Sequence, residues 1–495
     1  MASLKGLAKD TAIYGLSSIA GKSINYLLVP IHTYAFASAS GQYSIVTRLY
    51  AATAILILLL TFGMETTMFR FLNKEGEDRE KTYSTIITFV GTLALTFAVL
   101  VVMFRQSVAD FLGYPDTPLY VMAIFLAVAF DAFQSIPLAF LRQQKRPLKF
   151  MMVYVGKIAF IVLLNFIYFI ALPKLHLNPP GLYGEGFLPD IGYVFYINLA
   201  GSIASTFFLW REISAARLSI DKPTFFRLLS YSWPLVLLGV AGQINKSADK
   251  LLYPWLDTTP DSAVNLSIYG GVVKVAAIMT MITQAFRYAY EPIVFGKSRD
   301  KDSKEYLALS MKFYLIFMLL AFLSVIAFMD ILRYIVAPDY WEGLYIVPIT
   351  MATEIIFGVY FNLSMWYKLI DQTRWGAWFS LTACVIYLAI NVIFVPMFGY
   401  VACACAGLVA YSVAMLLSYF VGQRKNPVDY PLRDMGFYVG LTLVLFAGMA
   451  LSNRYLPVWA ALSANVVMLG AFVSCLLRRD IPLASLPVVG RKFRK

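Results

Sequence analysis

Fourteen apolar stretches follow one another along this 495-residue chain, each close to the ~20 residues that a helix needs to cross a bilayer. They run over about 11–34, 42–65, 83–103, 118–140, 150–171, 190–210, 228–248, 264–286, 306–329, 343–366, 376–396, 399–421, 435–452 and 457–477. In lipid every backbone polar group must be satisfied inside the protein, which leaves the helix as the spanning element for runs of this length. Only 14% of the residues are charged, against roughly 25% in a soluble domain. The expected fold is an all-α integral membrane protein of about fourteen spans with little aqueous mass. The first run is too long for a cleavable leader and continues straight into the multi-span pattern.

Lys and Arg set the expected orientation. An even number of spans puts both termini on one side. The termini and the loops of that side hold 31 of the 41 Lys and Arg, including Arg142, Lys145, Arg146 and Lys149 in one loop and the run from Arg211 to Arg227 in another. The opposite side holds six, at Arg105, Lys174, Lys246, Lys250, Arg333 and Arg454. Both termini are thus expected in the cytoplasm. The net charge of +13 reads as this bias plus contact with anionic lipid, not as a nucleic-acid footprint. The longest loops, 172–189 and 211–227, are too short for a soluble catalytic domain. No catalytic triad, phosphate-binding loop or metal-ligand spacing is present, so no cofactor, metal or catalysis is expected. His32 and His176 stand apart, and Cys384, Cys403, Cys405 and Cys475 all fall in spans.

Four cations lie inside the spans, at Lys22, Arg48, Lys157 and Lys274, and three of them belong to a pattern stated twice. Lys22-Ser23 opens the string K-S-x-x-x-L-L-x-P that ends at Pro30, and Lys246-Ser247 opens the same string ending at Pro254. Tyr43 precedes Arg48 by five residues, as Tyr269 precedes Lys274. Duplicated hydrophobic segments with matched charges are the mark of a transporter built from repeats. Both copies enter from the same side, so the repeats are parallel. The expected organisation is an N-lobe of spans 1–6 (1–210), a basic cytoplasmic linker (211–227), a C-lobe of spans 7–12 (228–421) and a final helix pair with a basic tail (422–495). The two six-helix lobes are expected to be related by a pseudo-two-fold axis.

A Lys or Arg at membrane depth costs roughly 2.5–3.5 kcal/mol on insertion scales, so such a group normally faces a cavity or a partner. Lys22 shares one helical stripe with Ser18 and Asn25, about eleven residues or 16 Å from the cytoplasmic end. Span 7 repeats the stripe with Gln243, Lys246 and Lys250. Asp249 is placed to pair with Lys246 at i, i+3, which makes Asp249, Lys250 and the mid-span carboxylate Glu354 candidates for ion coupling. Arg48 and Lys274 are within a stretched snorkelling distance of an interface, yet their matched positions favour a site. Asp131 and Lys157 sit at similar depth on adjacent spans and read as a structural ion pair. Glu65, at the cytoplasmic end of span 2, reads as solvated.

The pattern resembles the lipid-linked oligosaccharide flippases of bacterial polysaccharide synthesis, in the superfamily that includes multidrug and toxin extrusion antiporters. Ser267–Lys274, followed by Phe286 and Glu291-Pro292, is similar to the span-8 pattern of O-antigen and capsule exporters, and Asn245–Lys250 resembles their span-7 step. The resemblance implies a multi-pass protein of the bacterial inner membrane, a monomer, that moves an undecaprenyl-pyrophosphate-linked oligosaccharide outward by alternating access. Its further implied partners are membrane lipids and other polysaccharide-assembly proteins. It also implies that Lys22, Arg48 and Lys274 contact substrate, with Lys246 added by the duplicated string. In the lipid II flippase branch the first helix carries Arg where this chain has Lys22. Two alternatives stay open: a multidrug or cation antiporter, which would want acidic residues in spans 1 and 2, and a membrane glycan polymerase or ligase, for which the outward loops are short.

Overall fold

The computed structural model describes residues 20–73, 78–177, 189–296, 303–370 and 372–480. Among them every regular element is helical. Among the described residues twelve helices are long and apolar enough to cross a membrane, and each coincides with a predicted span. Of the other two predicted spans, 11–34 lies in part outside the described residues. The span at 190–210 is the helix Gly192–Phe208 of 17 residues, about 26 Å long against a hydrocarbon core of about 30 Å. The chain forms two compact units, Met1–Gly271 with Cys384–Cys403, and Val272–Ala383 with Ala404–Lys495.

In the first unit, helical residues 20–26 lead into α1 (Leu28–Ala35), followed by α2 (Tyr43–Thr61), α3 (Met64–Leu72), α4 (Arg79–Met103), α5 (Pro118–Gln143), α6 (Pro147–Phe166), α7 (Gly192–Phe208) and α8 (Lys222–Leu256). The starts of these helices are written locally. Asp78 caps α4 by accepting from the Glu80 and Lys81 amides. Asp221 caps α8 by accepting from the Thr224 amide, and proline occupies the first turn of α5 and α6, where its missing N–H costs nothing. The centre is α5, which packs against α2, α4 and α7. Its buried face carries Ala123, Ala127, Ala129, Ala132 and Ala139, small side chains that let neighbouring backbones approach in a bilayer, where apolar surface alone does not drive helices together. At the far end of α6 the backbone passes through a π-helical turn, Ile167–Ala171.

The second unit holds α9 (Ser262–Gly296) from Val272 onward, α10 (Ser303–Ala327), α11 (Val347–Leu363), the start of α12 (Arg374–Phe398) up to Ala383, α13 (Tyr400–Lys425) from Ala404 onward, then α14 (Leu432–Tyr455) and α15 (Val458–Arg479). Here α10 is the organiser, packed against α11, α14 and α15. Many large apolar side chains stay outward in both units, among them Phe207, Phe104, Leu443 and Val467. In a soluble chain such surface would mark an interface; here it is the expected lipid face.

Candidate functional site

The first unit gathers three of the echoed segments. Arg48 on α2 is 2% exposed. Its Nε donates to the Leu251 carbonyl of α8 at 3.1 Å, and its Nη1 donates to the Leu112 carbonyl at 2.5 Å. Leu112 ends the short helix Arg105–Phe111, and the turn that presents its carbonyl passes through Gly113 at φ +75°, a backbone state that glycine adopts without steric cost. The guanidinium also lies over Trp255 at 4.6 Å and Tyr114 at 5.6 Å. Arg48 therefore clamps α2, the connector after α4, and α8 together. Its planar fork suits this task, because one group satisfies two carbonyls in different directions. Nη2 is buried without a hydrogen-bond acceptor among the described residues.

Two residues before Leu251 on α8, Asp249 is 2% exposed. Lys250 Nζ contacts its Oδ2 at 2.9 Å, and the Tyr269 hydroxyl of α9 donates to the same oxygen. Oδ1 is buried with no partner among the described residues. Asp249 is thus ion-paired with Lys250, with Tyr269 as a further partner on the same oxygen. Tyr269 reaches Asp249 because α9 lies hard against α2: a Cβ on Gly270 would stand 1.9 Å from Thr47 Oγ1. The Ser44 amide donates to Ser267 Oγ at 2.8 Å across the same contact. The connector between α8 and α9 is held by Asp257, which accepts from Thr259 Oγ1 at 2.7 Å and from Asn265 Nδ2 at 3.2 Å. Burial pulls the Asp257 carboxyl upward, but hydrogen bonds from Thr259 and Asn265 outweigh it and hold the group below the ordinary carboxylate range.

The other predicted residues fall as follows. Lys22, in helical residues 20–26, is half-buried, and Lys246 on α8 and Lys274 on α9 are exposed. Ser18, in the predicted stripe, lies outside the described residues. Lys274 and Glu354 belong to the second unit, and Glu354 is half-buried on α11. Asp131 and Lys157 form an ion pair between α5 and α6, with Asp131 36% exposed. Glu65 is not simply solvated: it is ion-paired with Arg142.

Sequence reasoning missed a second buried charge network. Lys312 on α10 is 8% exposed and lies 2.7 Å from Asp434 on α14 and 2.5 Å from Asp480 just after α15. Arg479 also binds Asp434, at 2.6 Å, and Tyr438 donates to Asp480 at 2.5 Å. The available signal is the position of Lys312 six residues inside the apolar run 306–329.

Arg48 supplies a direct test of its clamp. Arg48→Lys keeps the charge but reaches one carbonyl, leaving the other buried and unsatisfied. The expected loss is about 1–3 kcal/mol of stability, read by thermal unfolding in detergent. An unchanged midpoint would show that the two carbonyl bonds contribute nothing.

Residues 7–293, more than half the chain, match the family described as "Polysaccharide biosynthesis protein". A relative from Haloferax volcanii, described as a probable low-salt glycan biosynthesis flippase, Agl15, is 21% identical over 99% of this chain and 98% of its own length. Among solved structures, the lipid II flippase MurJ in an inward closed conformation gives a TM-score of 0.72 at 16% identity, over 95% of this chain and 99% of that one. An inward-facing multidrug resistance transporter of the MATE family gives 0.64 at 11% identity, over 82% and 96%. At such identities the solved structures establish the fold, and the sequence match establishes the family. The chain belongs to the polysaccharide biosynthesis protein family and is built on the helical fold shared by MurJ and the MATE transporters.

Proposed function

We propose that this protein is a flippase that carries a lipid-linked oligosaccharide from the cytoplasmic to the outer leaflet, by alternating access, to supply polysaccharide assembly. The cargo we infer is an undecaprenyl-pyrophosphate-linked glycan of the O-antigen, capsule or exopolysaccharide type, in a bacterial inner membrane with both termini cytoplasmic. The observation that carries this reading is the set of cations within long apolar helices of a chain of this family, with Lys22, Lys246 and Lys274 as the proposed substrate contacts. Arg48 has two of its nitrogens committed to protein carbonyls, so in this reading it supports the site and offers a phosphate only Nη2. A pyrophosphate carries about two negative charges, and with the cytoplasm negative its outward passage gains up to about 2.3 kcal/mol per charge per 100 mV. Basic side chains along the path lower the desolvation cost of that charge without nucleotide hydrolysis.

Asp249 is the proposed coupling group, with Lys250 as its switchable partner: its buried Oδ1 can take a proton or a cation, while Tyr269 and Lys250 hold Oδ2. Glu354 is proposed as a second coupling carboxylate. The same buried carboxylate favours the antiporter alternative, which would use it for exchange against an organic cation. Deleting the gene in its host and extracting lipids distinguishes the two. Lipid-linked glycan should accumulate on the cytoplasmic side if the flippase reading is right. Normal glycan export together with new sensitivity to cationic drugs would overturn it in favour of the antiporter.

A further inference from the structure

A cavity of 760 Å³ lies between residues 24–35 and α6 with its continuation to Lys174, apart from the charges assigned above. Its walls are apolar side chains such as Leu27, Ile31, Leu163 and Phe166, and among the described residues the one charged residue lining it is Lys174. The two helices run parallel and are pinned at two levels. Gly21 lies against α6 so closely that a Cβ there would meet Tyr154 at 2.7 Å. Farther along, His32 Nε2 and Asn165 Oδ1 are 2.7 Å apart in a buried contact, backed by Phe169 edge-on to His32 and Phe36. The gap beside these contacts is therefore held open by the fold. Phe169 and Ile170 in its wall belong to the π-helical turn, a distortion frequent at functional positions in helices.

We propose that this groove is a binding site for an anionic diacyl phospholipid, with one acyl chain laid along the groove and the phosphate on Lys174. Three observations point to that occupant. The groove is bounded on both sides by exposed apolar residues, Leu27 and Leu163 among them, so at bilayer depth it is filled by hydrocarbon rather than water. The wall from Ile24 to Ala35 is about 17 Å long at 1.5 Å per residue, close to the ~15 Å of one leaflet's hydrocarbon. An acyl chain matches that length, and a polyprenyl chain of many isoprene units overruns it. At the end where both walls finish stand exposed Lys174 and the exposed ring of Tyr34, a cation and a hydroxyl suited to a phosphate oxygen.

The test uses the full chain in nanodiscs of phosphatidylcholine mixed with phosphatidylglycerol, followed by native mass spectrometry of the released protein. Retained phosphatidylglycerol should exceed its share of the mixture. Lys174→Gln, a surface change, should lower that preference about fivefold, the equivalent of roughly 1 kcal/mol for one lysine facing an anionic head group. Ala159→Trp, which fills the groove from its lipid-facing wall, should remove the retained lipid whatever its head group. Equal retention of the two lipids by the wild-type chain, or an unchanged preference in Lys174→Gln, would overturn the proposal. Displacement of retained phosphatidylglycerol by polyprenyl phosphate at equal concentration would overturn the phospholipid as the occupant.

Discussion

Lys312→Met should be among the most destabilising single changes in this chain, at about 3–5 kcal/mol, the range for removing one partner of a buried ion pair. Methionine replaces the apolar stem of lysine, so packing is largely kept and the loss is electrostatic. Asp434 would still have Arg479, whereas Asp480 would be left with Tyr438 alone. Two carboxylates that had flanked one ammonium, Asp480 largely buried and Asp434 partly exposed, would then lie close together without it. The affected contacts are those of α10 with α14 and α15, so hydrogen exchange should quicken first in the final helix pair. Adding Asp480→Asn to Lys312→Met should restore most of the loss, because the remaining charge pair, Arg479–Asp434, is intact. Thermal unfolding of the purified single and double variants decides this. A single variant as stable as wild type would mean that the network is solvated and makes no net contribution.

The spans were legible because about twenty apolar residues in a row have few alternatives to a membrane helix, and every helix long and apolar enough fell on a predicted run. Proline and aspartate at the helix starts belong to the same local code. The Asp131–Lys157 contact was legible for a related reason: a short loop joins their two helices, and equal depth follows from counting residues on either side of it. Partners from distant segments were not. Arg48 bonds carbonyls 64 and 203 positions away, and backbone carbonyls carry no residue-type signal. Lys312 meets carboxylates 122 and 168 positions later. Asp249 shows what a local rule leaves out: helical spacing offers only neighbours on the same helix, whereas the Tyr269 hydroxyl comes onto the carboxylate from α9, 20 positions away. The family resemblance reached further than any pairwise rule, since it rests on the order of segments along the chain rather than on which side chains touch.

Replacing Lys22, Lys246 and Lys274 together by Ala should leave the protein in the membrane at its normal level and abolish glycan export. A lysine about 4 Å from a phosphate contributes up to about 4 kcal/mol at an effective dielectric near 20. Even half of that is a change of about 25-fold for each residue. Lys246 and Lys274 are exposed on their helices and Lys22 is half-buried, so no cavity opens in a packed core when they are shortened. That separates these lysines from Arg48 and Lys312, whose loss acts on folding. Charge is the property required at Lys22, so Lys22→Arg should keep export where Lys22→Ala lowers it and Lys22→Gln fails to rescue. Complementation of a deletion strain, scored by surface polysaccharide with membrane levels measured by immunoblot, reads all of these variants. Export at the wild-type rate by the triple Ala variant would end the proposal that an anionic cargo is drawn through by these cations, and Asp249 would then become the residue to test for exchange against a cation.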